Sequence, residues 1–272
     1  MNHFRAGAAQ QKKQEEIKMG ILLEEYDPCR EALIEPSMVA PPIDGFPKIA
    51  VTCYSGKLLH RYLAERQAKV IRTLDTEEEG IPVYEITENG MRFALYGSRV
   101  GAPACAGQLE EMIARGAEKF VMFGSCGVLD RTLGKWKVII PTAAIRDEGV
   151  SYHYLPAAEE IAQPQECVEA LKKAFDSLGE EYVQGKVWTT DALYRETKAK
   201  MQRRKEQGCI AVDMECASVQ AVAAFRGVRL AQFFYAEDNL DEVVWDARGL
   251  SEGVTTEADR LFACALACAA EL

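Results

Sequence analysis

The sequence predicts an α/β fold: a single domain with a largely parallel or mixed β-sheet and helices packed against it. Two observations lead there. From Pro47 onward, short apolar runs alternate with segments of helical spacing for more than 200 residues, the pattern of strands interleaved with covering helices. Hydrophobic residues make up 48% of the 272-residue chain and charged residues 27%, so the chain can bury a large core without covalent staples.

The elements run in order. Residues 1–46 begin polar and charged and end in the proline-rich EPSMVAPPIDGFP. They read as an N-terminal extension, largely loop, with a short helix around Gln11–Glu25. The domain occupies 47–272. KIAVTCY (Lys48–Tyr54) is a strand, and LLHRYLAER has helical spacing. IPVYEIT and MRFALYG are strands joined at Asn89-Gly90, a hairpin signal. AGQLEEMIARG is a helix, KFVMFGSCG a buried strand running into a glycine loop, and KWKVIIPTAAI another strand. Gln165–Leu178 places Val168, Leu171, Phe175 and Leu178 on one helix face. EYVQGKVWTTD and IAVDM are strands. ECASVQAVAAFRG is a helix of small apolar residues, hence buried. VRLAQFFYAED is a strand, and EADRLFACALACAAEL a closing helix.

Charge and motif content exclude several functions. The net charge of −10 provides no basic surface for a nucleic-acid backbone. No run of about 18 uncharged apolar residues marks a membrane span, and the N-terminus lacks the apolar core of a secretory signal. The nine cysteines are scattered without a CxxC pair, and there are three histidines. A metal site is not expected, and a reducing, cytoplasmic location is.

Ligands of such sheets sit beyond the carboxyl ends of strands, and four of those ends carry chemistry. They are Tyr54-Ser55-Gly56-Lys57, Gly124-Ser125-Cys126-Gly127, Asp213-Met214-Glu215 and Glu237-Asp238-Asn239. The GSCG segment is either a tight turn or an anion cradle of amides plus one hydroxyl. It is neither a P-loop nor a dinucleotide fingerprint. Glu215 is either a helix-start acid favoured by the dipole or an acceptor for a pair of hydroxyls. Asp238 belongs either to a solvated acidic run with Glu237, Asp241 and Glu242 or to a carboxylate cluster able to supply a general acid. His153 and Cys126 read more simply as packing residues.

In this order and spacing, GSCGVLD, VIIPTAAIRDEGVSYHYLP, TTDALYRE and VDMECASVQAVAAFRGV resemble the nucleoside phosphorylase family, which includes uridine phosphorylases, hexameric purine nucleoside phosphorylases and nucleosidases. The resemblance runs from about Lys48 to the C-terminus. It implies one α/β domain with a central mixed, barrel-like sheet flanked by helices. It also implies a pentosyltransferase that cleaves a nucleoside with phosphate to ribose 1-phosphate and free base, with no cofactor beyond phosphate as co-substrate. Position by position, it implies that Glu215 binds the ribose hydroxyls, with Met214 against the sugar. Gly124 and Ser125 hold phosphate, with Ser55 in the first loop. Thr190, Asp191, Leu193 and Tyr194 line the base pocket. Asp238 contacts the base and is the acid for a purine. The family's members are usually homodimers or hexamers.

The departures are specific. Phosphorolytic members usually carry an arginine three residues before the serine, where this chain has Met122. A second usually follows a Gly-Asp-Pro loop, where this chain has Leu59. Arg99, with Lys57, is the expected substitute for that charge. A phosphate-independent nucleosidase and a catalytically weak nucleoside-binding protein are the alternatives. AIRDEG–HYLP points to a pyrimidine and the Asp238 segment to a purine, so the base stays open with a lean to purine.

Overall fold

The computed structural model describes residues 20–75, 79–250, 252 and 254–272. Part of the helix expected around Gln11–Glu25 lies outside the described residues. The first described elements are a 3-10 turn at Leu22–Glu24 and α1 (Pro36–Val39). Then come β1 (Ile49–Cys53), α2 (Gly56–Leu63), β2 (Lys69–Leu74), β3 (Ile81–Glu88), β4 (Met91–Gly97) and α3 (Ala102–Arg115). The centre holds β5 (Lys119–Val128), β6 (Val138–Asp147), α4 (Ser151–Tyr154), β7 (Glu160–Ala162), α5 (Gln165–Leu178) and β8 (Tyr182–Thr190). The chain closes with α6 (Lys198–Glu206), β9 (Cys209–Asp213), α7 (Cys216–Arg226), β10 (Arg229–Asn239) and α8 (Ala258–Glu271).

The sheet is mixed, and part of it closes on itself. Its order is β10-β6-β8-β9-β5-β1-β4-β3-β2, and β10 also pairs with β5. Strands β5, β10, β6, β8 and β9 therefore form a five-membered ring, the barrel-like centre the resemblance implied. β10 runs parallel to β5 with Tyr235 opposite Ser125 and antiparallel to β6. β1, β4, β3 and β2 extend in that order from β5, and β7 pairs with β6 on its own. Asn89-Gly90 turns β3 into β4, both residues at positive φ (50° and 78°), as a two-residue hairpin requires.

Three packed layers hold the ring. Helices α2, α5 and α8 cover one side, where Phe123, Phe233 and Phe262 are fully buried. The Phe123 and Phe233 rings stack at 5.1 Å. Helices α3 and α7 cover the other side around Phe120, Met122 and Val219. A third cluster draws Cys126, Ile139, Val187, Ala211 and Phe234 from the five ring strands, with Cys216 and Ala217 from the start of α7. Eight consecutive α7 residues from Cys216 to Ala223 are buried, the environment its all-round small apolar sequence demands.

Residues 20–46 rest against this body. Arg30 donates to the Phe225 carbonyl at 2.8 Å, Ile43 N–H bonds the Arg115 carbonyl, and Ala40 and Phe46 are buried. Eight of the nine cysteines are buried and all are free thiols. No helix among the described residues is long and apolar enough to cross a membrane.

Two stretches expected as strand-end loops lie within strands. Gly124–Gly127 is part of β5, which continues to Val128 because β9 pairs with it at Gly127 and Val128. Glu237-Asp238-Asn239 is part of β10. In the acidic run around it, Glu237 and Asp241 are buried, Asp238 is half-buried and Glu242 is exposed. Asp241 is bridged by Lys205 at 2.6 Å and by Arg131, and these partners hold its carboxyl below the usual value against its burial.

Candidate active site

A cavity of about 570 Å³ opens towards the carboxyl ends of β5, β9 and β10. Strand alternation supplies part of its wall. Ser125 and Gly127 lie two apart on β5 and present the same face, and the Ser125 side chain is exposed to the cavity. A Cβ on Gly127 would stand 3.3 Å from an Asp238 carboxylate oxygen and closer still to Leu240. The missing side chain thus lets Asp238 and Leu240 come against β5.

At the β9–α7 junction the backbone is pinned by Asp213. Its Oδ2 accepts the N–H groups of Glu215 at 2.8 Å and Cys216 at 2.6 Å. Its Oδ1 accepts the Thr189 hydroxyl at 2.7 Å. These bonds satisfy amides that a helix start leaves without partners. They also fix the direction in which Met214 and Glu215 leave the strand. Glu215 Oε1 accepts the Gly101 N–H at 2.6 Å. Gly101 holds φ +98°, a conformation a residue with a side chain rarely adopts. Both carboxyls are buried, so both hold protons more tightly than usual. Burial is the main cause in each, and the Asp213 charge raises Glu215 further. Asp213 has three donors to offset its burial.

Tyr54 forms another part of the wall. Its ring lies where a Cβ on Gly124 would stand. Its hydroxyl comes within 3.5 Å of the Cys105 sulfur and 3.4 Å of Gln232 Nε2. Burial, with Cys105, Glu215 and Asp213 nearby, pushes the phenol well above its ordinary range.

Two segments outside the ring complete the lining. Leu193, Tyr194 and Glu196 come from the turn after β8; Leu240, Val243 and Trp245 come from the segment after β10. Trp245 donates its indole N–H to Asp238 Oδ2 at 2.7 Å. Burial, with the Asp238 charge adding to it and Lys200 opposing it, raises the Glu196 carboxyl to about 7.

The structure brings together Ser125, Leu193, Tyr194, Met214, Glu215 and Asp238 around this cavity. The other residues expected to bind substrate are not part of its lining. Gly124 lies behind the Tyr54 ring. The Ser55 hydroxyl caps α2 by accepting the Leu58 N–H. Thr190 is buried and accepts from the Ala192 N–H. Asp191 is exposed and accepts from the Gly149 N–H at 3.0 Å. Arg99 lines a second cavity of about 410 Å³ with His60, Tyr84 and Ser98, and its guanidinium donates to the Glu79 carbonyl. Lys57 is exposed on α2.

Met122 and Leu59 are core residues, 0% and 3% exposed, so an arginine at either place would carry its charge into apolar packing. The charged residues lining the cavity are Glu196, Asp213, Glu215, Asp238 and Glu242 against Lys198. AIRDEG–HYLP is a structural network. Arg146 donates to the Ser151 hydroxyl and the Pro156 carbonyl, both at 2.8 Å, and it lies over the Tyr152 ring.

The residues from 48 to 270 match the family model described as "Phosphorylase superfamily". The chain belongs to that superfamily. This membership agrees with the pentosyltransferase class expected from the motifs. A guanosine phosphorylase from Halorubrum lacusprofundi is 26% identical over 152 residues, which cover 56% of this chain and 63% of that protein. A DeoD-type purine nucleoside phosphorylase from Bacillus cytotoxicus is 26% identical over 184 residues, 66% of this chain and 77% of that one. Among solved structures, the purine nucleoside phosphorylase of Toxoplasma gondii in complex with immucillin-H shares the fold. Its TM-score is 0.69 at 19% identity, covering 82% of this chain and 90% of that one.

Motif order assigns no role to Tyr54, Glu196 or Trp245. Tyr54 sits at a strand end already marked for chemistry. For Trp245 the one available signal was a large aromatic next to an acidic run.

Proposed function

We propose that the protein cleaves the N-glycosidic bond of a purine nucleoside and transfers the pentosyl group to phosphate. The observation that carries this reading is the meeting of Met214-Glu215, the exposed Ser125 hydroxyl and Asp238 around one cavity. The Gly101 amide holds the Glu215 carboxyl in place at 2.6 Å, where it can accept from a sugar diol, with Met214 against the ring. Cleavage builds positive charge on the sugar, which nearby carboxylates and an attacking anion stabilise, and negative charge on the leaving base, which a proton stabilises. Leu193, Leu240 and Trp245 offer apolar surface for a base on the side where Asp238 lies. Guanosine phosphorylase and purine nucleoside phosphorylase relatives support both the purine and the phosphate acceptor. Assembly as a homodimer or hexamer belongs to the same reading and is checked by mass in solution.

The lining favours a second reading, hydrolysis. Five carboxyl residues against one lysine make poor company for a phosphate dianion, whereas water needs no cation. Charge-assisted hydrogen bonds are about twice as strong as neutral ones, so phosphate held by Ser125 alone binds weakly. Base release from purine and pyrimidine nucleosides, with and without phosphate, separates the readings. Release that requires phosphate supports transfer, and release indifferent to phosphate supports hydrolysis. Binding without release from any nucleoside sinks both.

A further inference from the structure

We propose that Glu196 is the proton donor to the leaving base, with Asp238 the negatively charged partner that keeps the proton on it. This rests on the nucleoside reading above and moves the acid from Asp238 on β10 to the turn that joins β8 to α6.

The geometry separates the two carboxyls. Both line the cavity, in the company of Leu193, Leu240 and Trp245. Asp238 already accepts the Trp245 indole N–H. The Glu196 side chain makes no hydrogen bond or ion pair with another described residue. It is held in place by its backbone, whose N–H bonds the Leu193 carbonyl at 3.2 Å in the turn after β8.

The charged groups around it are accounted for. Asp238 faces it from β10 and raises it, while Lys200 faces it from α6 and lowers it. Lys200, however, is drawn to Asp147 at 3.0 Å. Lys198, the cationic residue of the lining, donates to the Val243 carbonyl. Glu242 accepts from the Asn239 side chain. Glu196 is thus left as a half-buried carboxyl next to a negative charge, with both nearby lysines engaged elsewhere. A carboxyl that burial and a neighbouring charge hold in its protonated form is placed to act as the acid. Burial and Asp238 raise Glu196 to about 7, which keeps a large share protonated near neutrality, as a general acid needs.

The step balances without a further reagent. The acceptor oxygen bonds to the anomeric carbon as the bond from that carbon to the base nitrogen breaks. The released electron pair goes to the base, which takes the proton of Glu196. Solvent then reprotonates the carboxylate.

The test compares guanosine with 7-methylguanosine, whose base already carries a positive charge and leaves without needing a proton. Base release is measured from pH 5 to 9 for wild type, Glu196→Gln, Glu196→Asp and Asp238→Asn, with melting curves to confirm folding. In wild type, kcat/KM for guanosine falls as pH rises through about 7. Glu196→Gln loses about 10²-fold or more on guanosine, loses the alkaline limb, and keeps 7-methylguanosine turnover. Glu196→Asp restores part of the guanosine rate, and Asp238→Asn moves the limb to lower pH. Glu196→Gln that keeps guanosine turnover and its limb overturns the proposal, as does an equal loss on both substrates. Wild-type protein that releases base from no nucleoside, purine or pyrimidine, overturns the nucleoside reading and this assignment with it.

Discussion

Gly101 reaches across 114 residues of sequence to give its N–H to Glu215 Oε1 at 2.6 Å. The bond ties the loop before α3 to the start of α7 and fixes the Glu215 carboxyl in the cavity wall. Glu215→Gln puts an NH2 group where the carboxyl has an oxygen able to meet a sugar hydroxyl. A hydrogen bond contributes about 0.5–1.5 kcal/mol, so kcat/KM for a ribonucleoside falls by roughly 2- to 13-fold. The loss is smaller for the 2′-deoxynucleoside, which has one hydroxyl fewer to lose. Equal losses on the two sugars would place Glu215 away from the diol.

Gly124→Ala forces its methyl into the Tyr54 ring. Overpacking of this kind costs about 1–3 kcal/mol, read as a lower melting temperature. Tyr54→Ala in the same chain relieves the clash, and the double variant recovers part of the loss. Strictly additive melting shifts would show that the two residues do not press on each other.

Asp213→Ala leaves the Glu215 and Cys216 amides and the Thr189 hydroxyl without their acceptor. Loss of a helix cap alone costs about 0.5–2 kcal/mol, and the buried setting puts this variant at the upper end. Chemical denaturation measures it.

Glu196 also leaves a mark on stability. Its carboxyl rises from 4.5 in the ordinary state to about 7 in the fold, so the native state binds the proton more tightly than the unfolded chain. Stability attributable to this group is highest below pH 4.5, declines as pH rises from about 4.5 to 7, and is level above that. Glu196→Gln abolishes the decline. The variant therefore melts above wild type at pH 8 and level with it at pH 4. Identical pH profiles would mean the carboxyl is not raised.

Arg99→Ala leaves the phosphate dependence of turnover unchanged, because Arg99 lines the other cavity. A rise in the phosphate concentration needed for half-maximal rate would show that its guanidinium reaches Ser125.

The fold was legible where one face of an element is buried. Val168, Leu171 and Phe175, at 3 and 4 spacing, are buried along α5, while Leu178 at its last position is half exposed, and Asn89-Gly90 marks its hairpin. Elements without an apolar face escaped. β2, KVIRTL, has one buried residue. α6, KAKMQRRKE, has none, and neither shows a periodicity to read. At the site, the residues on ring strands and at the β9–α7 junction could be found from motif order. Ser125, Met214, Glu215 and Asp238 are of this kind. Tyr54 and Trp245 take their places through packing between distant segments, and Glu196 matters because of the charges around it. None of these relations leaves a local pattern in the chain.

The double pairing of β10, to β5 and to β6, has a consequence for how substrate preference changes. A strand gripped on both sides of a closed ring cannot slide to suit a new ligand without unzipping its neighbours. Ser125 lies opposite Tyr235 in the doubly paired stretch, and Asp238 follows three residues on, where the pairing shifts register between Ala236 and Asn239, so the sugar-to-base spacing starts from a fixed gauge. New tastes in nucleobase would arise in the two stretches that stand outside the ring, 193–201 and 240–250, where residues can be exchanged while the gauge is kept.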